Sequence, residues 1–291
     1  MIRIVPGDIV DLMIGPELYV GAQYRAELRA KYGLDQPIYV QYVKWVGQIV
    51  QGNFGISLRN DEPVLGTILR RLPLTVELAT LSVLLSAVLA VPLGVISAVK
   101  RNSATDFFVR LIAMVGLSVP NFWLAAMLLL VTGVILHWQP RLLLVAPWED
   151  PWTNIQQMAM PVIALSLALM AIVMRMTRSS MLEVLRHEYV QTARAKGLAP
   201  HVITVRHALK NAFIPIVTVL GVQLGALLGG TVVIEVIFGL PGVGRLVIDA
   251  INARDYPMLQ GAVLFIATMF ALVNLAVDLT YAYLDPRIRY S

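Results

Sequence analysis

Five long apolar segments alternate with polar stretches along the chain. A transmembrane helix needs about 20 consecutive, mostly apolar residues, and backbone groups in lipid must be hydrogen-bonded within the segment itself. The pattern therefore predicts an all-α polytopic membrane protein with five spans. Their approximate bounds are 77–99, 111–136, 158–174, 213–237 and 259–281, and Pro120 interrupts the second span.

The composition favours the same class of protein. Hydrophobic residues make up 58% of the chain and charged residues only 14%, whereas soluble domains carry about 25% charged residues. The chain contains no cysteine, which excludes disulfides, thiol catalysis and cysteine metal sites. The net charge of +5 is expected to reflect cytoplasmic loops, so a nucleic-acid partner is not predicted.

Loop charge predicts the orientation, because cytoplasmic loops are enriched in Lys and Arg. Lys100 and Arg101 follow the first span, the loop 175–211 is rich in Arg and Lys, and the tail 285–291 reads DPRIRYS. These three regions fall on one side, the cytoplasm. The loops near 137–157 and 238–258 are more acidic and are expected outside.

This orientation places residues 1–76 outside, as an extracytoplasmic segment ahead of a transmembrane domain at 77–284. Apolar residues in the external segment recur at helical spacing, which predicts a cap of surface helices; they are Tyr39, Tyr42, Val43, Val46 and Ile49. The segment has no export signal. We therefore expect that a further transmembrane helix precedes it and is absent from this sequence.

The basic loop 175–211 is too long for a simple connection between helices, which usually takes 2–8 residues. Gly197 is suited to end one helix in the left-handed conformation, and Pro200 is suited to start the next. The pattern predicts a helix, a sharp turn and a second helix in the cytosol. Small residues at the turn would allow a partner to approach closely. The alternative is a solvated loop attracted to anionic lipid headgroups.

Residues 189–218, YVQTARAKGLAPHVITVRHALKNAFIPIVT, resemble the cytoplasmic coupling loop of ABC importer permeases of the dipeptide/oligopeptide family. The general loop motif reads Glu-Ala-Ala, three residues, Gly; Gln191 and Thr192 depart from it. The stretches PGDIVDLMIG at 6–15, LPLTVELA at 72–79, IEVIFGLPGVGRLVIDAINARDYPMLQG at 234–261 and DLTYAYLDPRIRY at 278–290 are similar to the same family. Family members open with one more transmembrane helix before PGD.

The resemblance implies a type I ABC importer transmembrane domain in a multi-pass protein of the cell inner membrane. Its partners would be a second homologous permease, two cytoplasmic ATPases, an extracytoplasmic substrate-binding protein and the lipid bilayer. The substrates would be di- and oligopeptides; glutathione or nickel chelates are alternatives within the family. The implied ATPase-coupling residues are Tyr189, Gln191, Thr192, Ala193, Arg194, Ala195, Lys196, Gly197 and Pro200.

No catalytic site is predicted in this chain. The glycine cluster GLPGVGR at 239–245 lacks the Gly-Lys-Ser/Thr ending of a P-loop, and HEYVQ at 187–191 has Gln191 where a zinc-protease motif needs histidine. Neither a cofactor nor a metal site is expected here, and ATP and Mg²⁺ would be bound by the partner ATPases. An ion-coupled secondary transporter is the alternative class, but the inverted repeats and buried charges typical of it are not evident.

Polar residues within the spans are candidates for lining a pathway; they are Ser118, Asn121, Gln223 and Glu235. The external loop 238–258 is a candidate contact for a binding protein, through Arg245, Asp249, Arg254 and Asp255. Gly221, Gly225 and Gly229 recur every four residues, a spacing that allows close helix packing. Their partner helix could belong to this chain or to another subunit.

Overall fold

The computed structural model describes residues 22–31, 33, 35–139 and 144–284. The described residues are almost entirely helical, apart from one isolated antiparallel bridge between Ile56 and Pro63. The predicted tail 285–291 and residues 1–21 of the predicted external segment lie outside this range. Contacts divide the chain into two compact units, residues 1–73 with 241–266, and residues 74–240 with 267–291.

In chain order the helices are α1 (Ala22–Lys31), α2 (Ile38–Val50), α3 (Val64–Val99), α4 (Ala104–Ser118), α5 (Asn121–Leu130), α6 (Pro151–Val184), α7 (Glu188–Ala195), α8 (Pro200–Val202), α9 (Lys210–Gly230), α10 (Val232–Ile237), α11 (Val243–Asn252) and α12 (Tyr256–Leu284). The π-helical segment Val131–Ile135 prolongs α5. A second π-helical segment, Ile203–Leu209, joins α8 to α9.

Four stretches within the described residues are long and apolar enough to cross a membrane: α3, α6, the run Pro200–Gly230, and residues 256–280 of α12. The pair α4–α5 makes a fifth span if it is taken as one unit, although it bends by 93°. The bend lies at Val119 and Pro120, because Pro120 disfavours helical backbone at the residue before it. The prediction of five spans, with the second interrupted at Pro120, is confirmed when α4 and α5 are counted together as one span.

The helices extend beyond the predicted spans at several points. α3 begins at Val64 instead of Glu77, and α6 runs from Pro151 to Val184 instead of 158–174. The predicted fourth span, 213–237, is split after Gly230 into α9 and α10. Hydropathy marks only the apolar middle of a helix, whereas hydrogen bonding continues into the polar turns that extend beyond it.

The unit of residues 74–240 and 267–291 is built around α6, which packs against α4, α5, α9 and α10. Asp150 caps α6 by accepting hydrogen bonds from the backbone N–H groups of Trp152 and Thr153, both at 3.1 Å. Apolar residues along α6 are buried in two clusters, and a third cluster lies at its carboxyl end. α6 is therefore the central helix of this unit, and α3, α4, α5 and α9 expose apolar side chains on their outer faces.

The unit of residues 1–73 and 241–266 has its own core. Val64 and Ile68 of α3 pack against Val243, Leu246 and Ala250 of the amphipathic helix α11 and against the start of α12. Gly261 allows this packing, because a Cβ atom there would lie 2.5 Å from Cγ1 of Val64. The predicted external cap therefore contains more than residues 1–76, since the segment 241–266 packs into the same unit.

Candidate functional site

The segment that follows α6 forms a compact helical hairpin, residues 188–203. α7 ends at Ala195, and Gly197 adopts φ +76°. Its N–H donates to the carbonyl of Arg194 at 2.9 Å, and the N–H of Leu198 donates to the carbonyl of Ala193 at 3.3 Å. These two bonds form a Schellman motif. Pro200 then occupies the first position of α8, so the predicted roles of Gly197 and Pro200 in the turn are confirmed.

The hairpin has a small apolar core of its own. Val190 and Ala193 of α7 pack against Ile203, and Leu185 packs on the same cluster. Ala193 is therefore an internal packing residue of the hairpin, and its predicted part in ATPase coupling stays a prediction. Its small side chain allows the two arms of the hairpin to approach each other.

The outer surface of the hairpin is exposed and basic. The exposed residues include most of the predicted coupling set: Gln191, Thr192, Arg194, Ala195, Lys196, Gly197 and Pro200. Glu188 is the one acidic side chain of α7 and lies in its first turn, whereas Arg194 lies in its last turn. Both positions are favourable for the helix dipole, so the end of α7 nearest the turn presents positive charge.

Tyr189 links the hairpin to the start of α9. Asn211 Nδ2 donates to the Tyr189 hydroxyl oxygen at 2.7 Å and to the carbonyl of His207 at 3.1 Å. The Tyr189 hydroxyl donates to the same His207 carbonyl at 3.4 Å. The ring of His187 meets the Tyr189 ring edge-on, with centroids 5.8 Å apart. These contacts hold the first arm of the hairpin against residues 207–211, at the start of α9.

The hairpin is joined directly to the long helices on both sides. Residues 185–187 continue from α6 with backbone hydrogen bonds of 2.9–3.1 Å. Leu185 also packs on a junction cluster at the end of α3 and α6, formed by Ala98, Met181, Val184, Ala208 and Ala212. On the other side, α8 continues through residues 203–209 into α9. A hydrogen-bonded turn of three residues thus joins the hairpin to α6, and an unbroken helical run joins it to α9.

A buried carboxylate reinforces the same end of the unit. Asp106, in the first turn of α4, is fully buried. Arg178 of α6 donates Nε to Oδ1 at 2.9 Å and Nη2 to Oδ2 at 3.0 Å. Ser97 Oγ of α3 donates to Oδ1 at 2.6 Å, and the N–H of Asn102 donates to Oδ2 at 3.0 Å. One side chain thus joins α3, α4 and α6.

The sequence-based interpretation missed Asp106 and treated Arg178 as part of the loop 175–211. The structure shows that α6 extends through Val184, so Arg175 and Arg178 are helical. The loop predicted at 175–211 therefore starts only after Val184. A local signal for Asp106 was present. Ser103 caps α4 and accepts a hydrogen bond from the N–H of Asp106 at 3.3 Å, and a serine followed three residues later by an acid is typical of a helix start.

The four pathway candidates lie in different environments. Ser118 is exposed at the end of α4 and donates to the carbonyl of Met114 at 2.9 Å. Asn121 and Gln223 are half-buried at the start of α5 and within α9. Glu235 is fully buried, and its Oε1 accepts from the hydroxyls of Thr75 and Thr231, both at 2.8 Å. Their role in a pathway stays a prediction.

The glycine repeat of α9 packs within this chain. A Cβ atom at Gly221 would lie 2.2 Å from Cγ2 of Val277, and one at Gly225 would lie 3.3 Å from the ring of Phe270. Both neighbours belong to α12. The packing role of Gly221 and Gly225 is confirmed, and the partner helix is α12 of the same chain.

The candidates in the loop 238–258 differ in accessibility. Asp249 is exposed on α11 and lies 3.5 Å from Nη1 of Arg71. Arg245 and Arg254 are half-buried. Asp255 is 4% exposed and accepts hydrogen bonds from Ser57 Oγ and from the N–H of Leu58. Asp255 therefore holds the turn at residues 57–58, while Asp249 borders an open cavity of about 510 Å³.

Within the described residues, no three His, Asp or Glu side chains gather in a way that could hold a metal ion.

Two family models match the chain. "Binding-protein-dependent transport system inner membrane component" matches residues 90–290, and the corresponding N-terminal model, "membrane comp, N-term", matches residues 1–79. Together the two matches extend over nearly the whole chain.

Named relatives align over the full chain. The dipeptide transport system permease protein of Alkalihalophilus pseudofirmus is 39% identical, and the di/tripeptide transport system permease protein of Pseudomonas aeruginosa is 42% identical; each alignment covers 100% of this chain and 92% of the relative. The oligopeptide transport system permease protein of Bacillus subtilis is 38% identical with the same coverage.

Solved structures share the fold. A chain of the inward-facing MetNI methionine ABC transporter superposes with a TM-score of 0.62 at 20% identity, covering 77% of this chain and 99% of that one. A chain of an amino acid ABC transporter gives a TM-score of 0.53 at 17% identity and covers 77% and 95%. The all-α fold is thus that of ABC importer transmembrane chains.

Proposed function

The chain belongs to the family of binding-protein-dependent transport system inner membrane components, and from this we propose that it is one permease subunit of an ATP-driven ABC importer of di- and oligopeptides. Full-length relatives at 38–42% identity carry dipeptide, di/tripeptide and oligopeptide permease names. These names favour peptides over the glutathione or nickel-chelate alternatives.

The observation that carries the proposal is the rigid hairpin 188–203. It exposes a basic surface at its turn, has its own core, is joined to α6 by a hydrogen-bonded three-residue turn, and continues helically into α9. Such an element suits the transmission of a displacement from a soluble motor to membrane helices. The Asp106–Arg178 pair supports this role, because it fixes α3, α4 and α6 to one another close to the junction cluster.

The proposed assembly contains a second homologous permease, two cytoplasmic ATPases and an extracytoplasmic substrate-binding protein in the cell inner membrane. The ATPases bind and hydrolyse ATP with Mg²⁺, and this chain is non-catalytic. ATP-driven closure of the ATPases moves the hairpins, and the two permeases alternate between inward- and outward-facing states. The cavity beside Asp249, lined also by Arg59 and Arg71, offers charged groups of both signs to a binding protein.

Transport by the reconstituted complex tests the proposal. Proteoliposomes containing both permeases and both ATPases should accumulate a labelled dipeptide only when ATP and the binding protein are supplied. Vesicles that lack the ATPases serve as the control and should show no accumulation. Uptake by the permeases alone, driven by a proton or sodium gradient, would contradict the proposal and favour a secondary transporter.

A further inference from the structure

Helix α2 carries an apolar stripe that faces away from the protein. No residue of α2 is buried, and Tyr39, Val43 and Val50 are 71%, 68% and 81% exposed. At 100° per residue, the apolar side chains of one face fall within an arc of about 140°. They are Ile38, Tyr39, Tyr42, Val43, Val46, Ile49 and Val50, and all of them are exposed except the half-buried Val46 and Ile49.

The opposite face of α2 is largely polar, with Lys44 and Gln48 exposed and Trp45 half-buried, and it lines a cavity of about 410 Å³. Gln41, Lys44 and Gln48 border this cavity together with Gln36 and Gln260. Lys44 Nζ donates to Gln36 Oε1 at 2.8 Å, and Gln41 Nε2 donates to the Gln36 carbonyl at 2.6 Å. A surface helix of a soluble protein has the reverse arrangement, with its apolar stripe toward the core. α2 therefore presents its most exposed apolar side chains, Tyr39, Val43 and Val50, outward, an arrangement suited to contact with an apolar phase.

The described chain already requires a bilayer for α3, which crosses it and exposes Leu84 and Val88. Only residues 51–63 separate α2 from α3, so α2 is tethered close to the membrane surface. Its stripe carries no charge, and its two tyrosines have the ring-and-hydroxyl character that is enriched at membrane interfaces. An apolar face with a polar face behind it is typical of helices that lie in the plane of the interface.

We propose that α2 lies in the external leaflet of the membrane, with the stripe Ile38–Val50 among the acyl chains and the tyrosine hydroxyls at headgroup level. The lipid covers the apolar face, while Gln36, just before the start of α2, accepts hydrogen bonds from Gln41 and Lys44 on the polar face. The polar cavity behind α2 then opens at the level of the headgroups. The external unit is thereby anchored to the bilayer by a helix that does not cross it.

Spin labels test this directly, because the natural chain has no cysteine to compete. The variants Val43→Cys and Tyr39→Cys place a nitroxide on the stripe, and Lys44→Cys places one on the opposite face. Leu84→Cys, on the exposed face of α3, is the reference for lipid. Each variant is assembled with its partner subunits in phosphatidylcholine nanodiscs, and collision rates are measured with oxygen and with a water-soluble nickel chelate.

The expected ratio of oxygen to nickel collisions is severalfold higher at positions 43 and 39 than at position 44, and close to that at position 84. Nickel access at 43 and 39 equal to that at 44 would mean that the stripe is solvated and would overturn the proposal. Protection from both reagents would mean that a protein covers the stripe and would equally overturn it. The readout does not depend on transport, so it stands apart from the proposed function.

Discussion

Arg178 holds Asp106 through two parallel hydrogen bonds of 2.9 and 3.0 Å, although the two residues lie 72 positions apart. A forked arginine–carboxylate pair of this kind fixes orientation as well as distance. Because Ser97 donates to the same carboxylate, the pair sets the mutual positions of three helices at the end of the unit from which the hairpin emerges.

Removing the cation of this pair should destabilise the protein. Arg178→Ala leaves the buried Asp106 carboxylate without its main partner, and breaking a buried pair in this way costs about 3–5 kcal/mol. The double variant Asp106→Asn with Arg178→Gln removes both charges and should cost less. Thermal unfolding of the purified complex measures the difference. Arg175→Ala, an exposed neighbour on α6, is the control, and equal losses for R175A and R178A would contradict the role of the pair.

The turn of the hairpin should tolerate some residues at position 197 and reject others. Gly197 has φ +76° and open space around its Cα, so Gly197→Asn suits the left-handed conformation and should preserve the turn. Gly197→Trp adds a bulky ring at the exposed tip and should abolish binding of the ATPase while leaving membrane insertion intact. Co-purification of the ATPase with each variant is the measurement. Undiminished recovery with G197W would count against docking at this turn.

The Tyr189 hydroxyl should affect coupling more than binding. Tyr189→Phe removes the acceptor of the 2.7 Å bond from Asn211, which costs about 1 kcal/mol and loosens the hairpin from α9. We expect the ATPase still to bind but more ATP to be hydrolysed per peptide transported. Asn211→Ala should give a similar ratio, and the double variant should add little to either. Fully additive effects would show that the two groups do not act through their mutual bond.

The contact between α9 and α12 should be sensitive to a single methyl group. Gly221→Ala forces a Cβ atom against Val277, and overpacking of this kind costs about 1–3 kcal/mol. Adding Val277→Ala should restore part of the loss. Gly230→Ala meets no atom within 4 Å and is the matched control. The melting temperatures of the three variants measure these changes in stability. An unchanged melting temperature for G221A would show that the close approach of α9 to α12 does not contribute to stability.

The elements that could be predicted from sequence are those governed by local rules. The left-handed Gly197, the helix start at Pro200 and the break at Pro120 depend on backbone conformation and were anticipated correctly. The span bounds were less predictable, since α3 is helical through its polar first turns from Val64 onward. Asp106 and Arg178 come together only through the packing of α4 on α6, and no local pattern could connect them.

The same distinction explains the mixed outcome for the external candidates. Asp249 and Asp255 both fall in the segment 238–258, which the sequence predicts to be an external loop, and sequence alone treats them alike. The fold buries Asp255 against Ser57 and leaves Asp249 exposed beside Arg71. Which of the two is accessible depends on the packing of α11 against α3, a contact between distant parts of the chain.

Leu185 belongs both to the core of the hairpin and to the junction cluster with Ala98 and Met181. A chimera that exchanges hairpins between related permeases should therefore take its crossover point before Leu185 and not after it. If the donor segment begins at residue 186, the donor's hairpin core must pack against the recipient's Leu185. If it begins earlier, the donor supplies its own side chain at position 185, which already matches that core. The choice of ATPase by such a chimera should therefore depend on this one residue, which packs on both clusters.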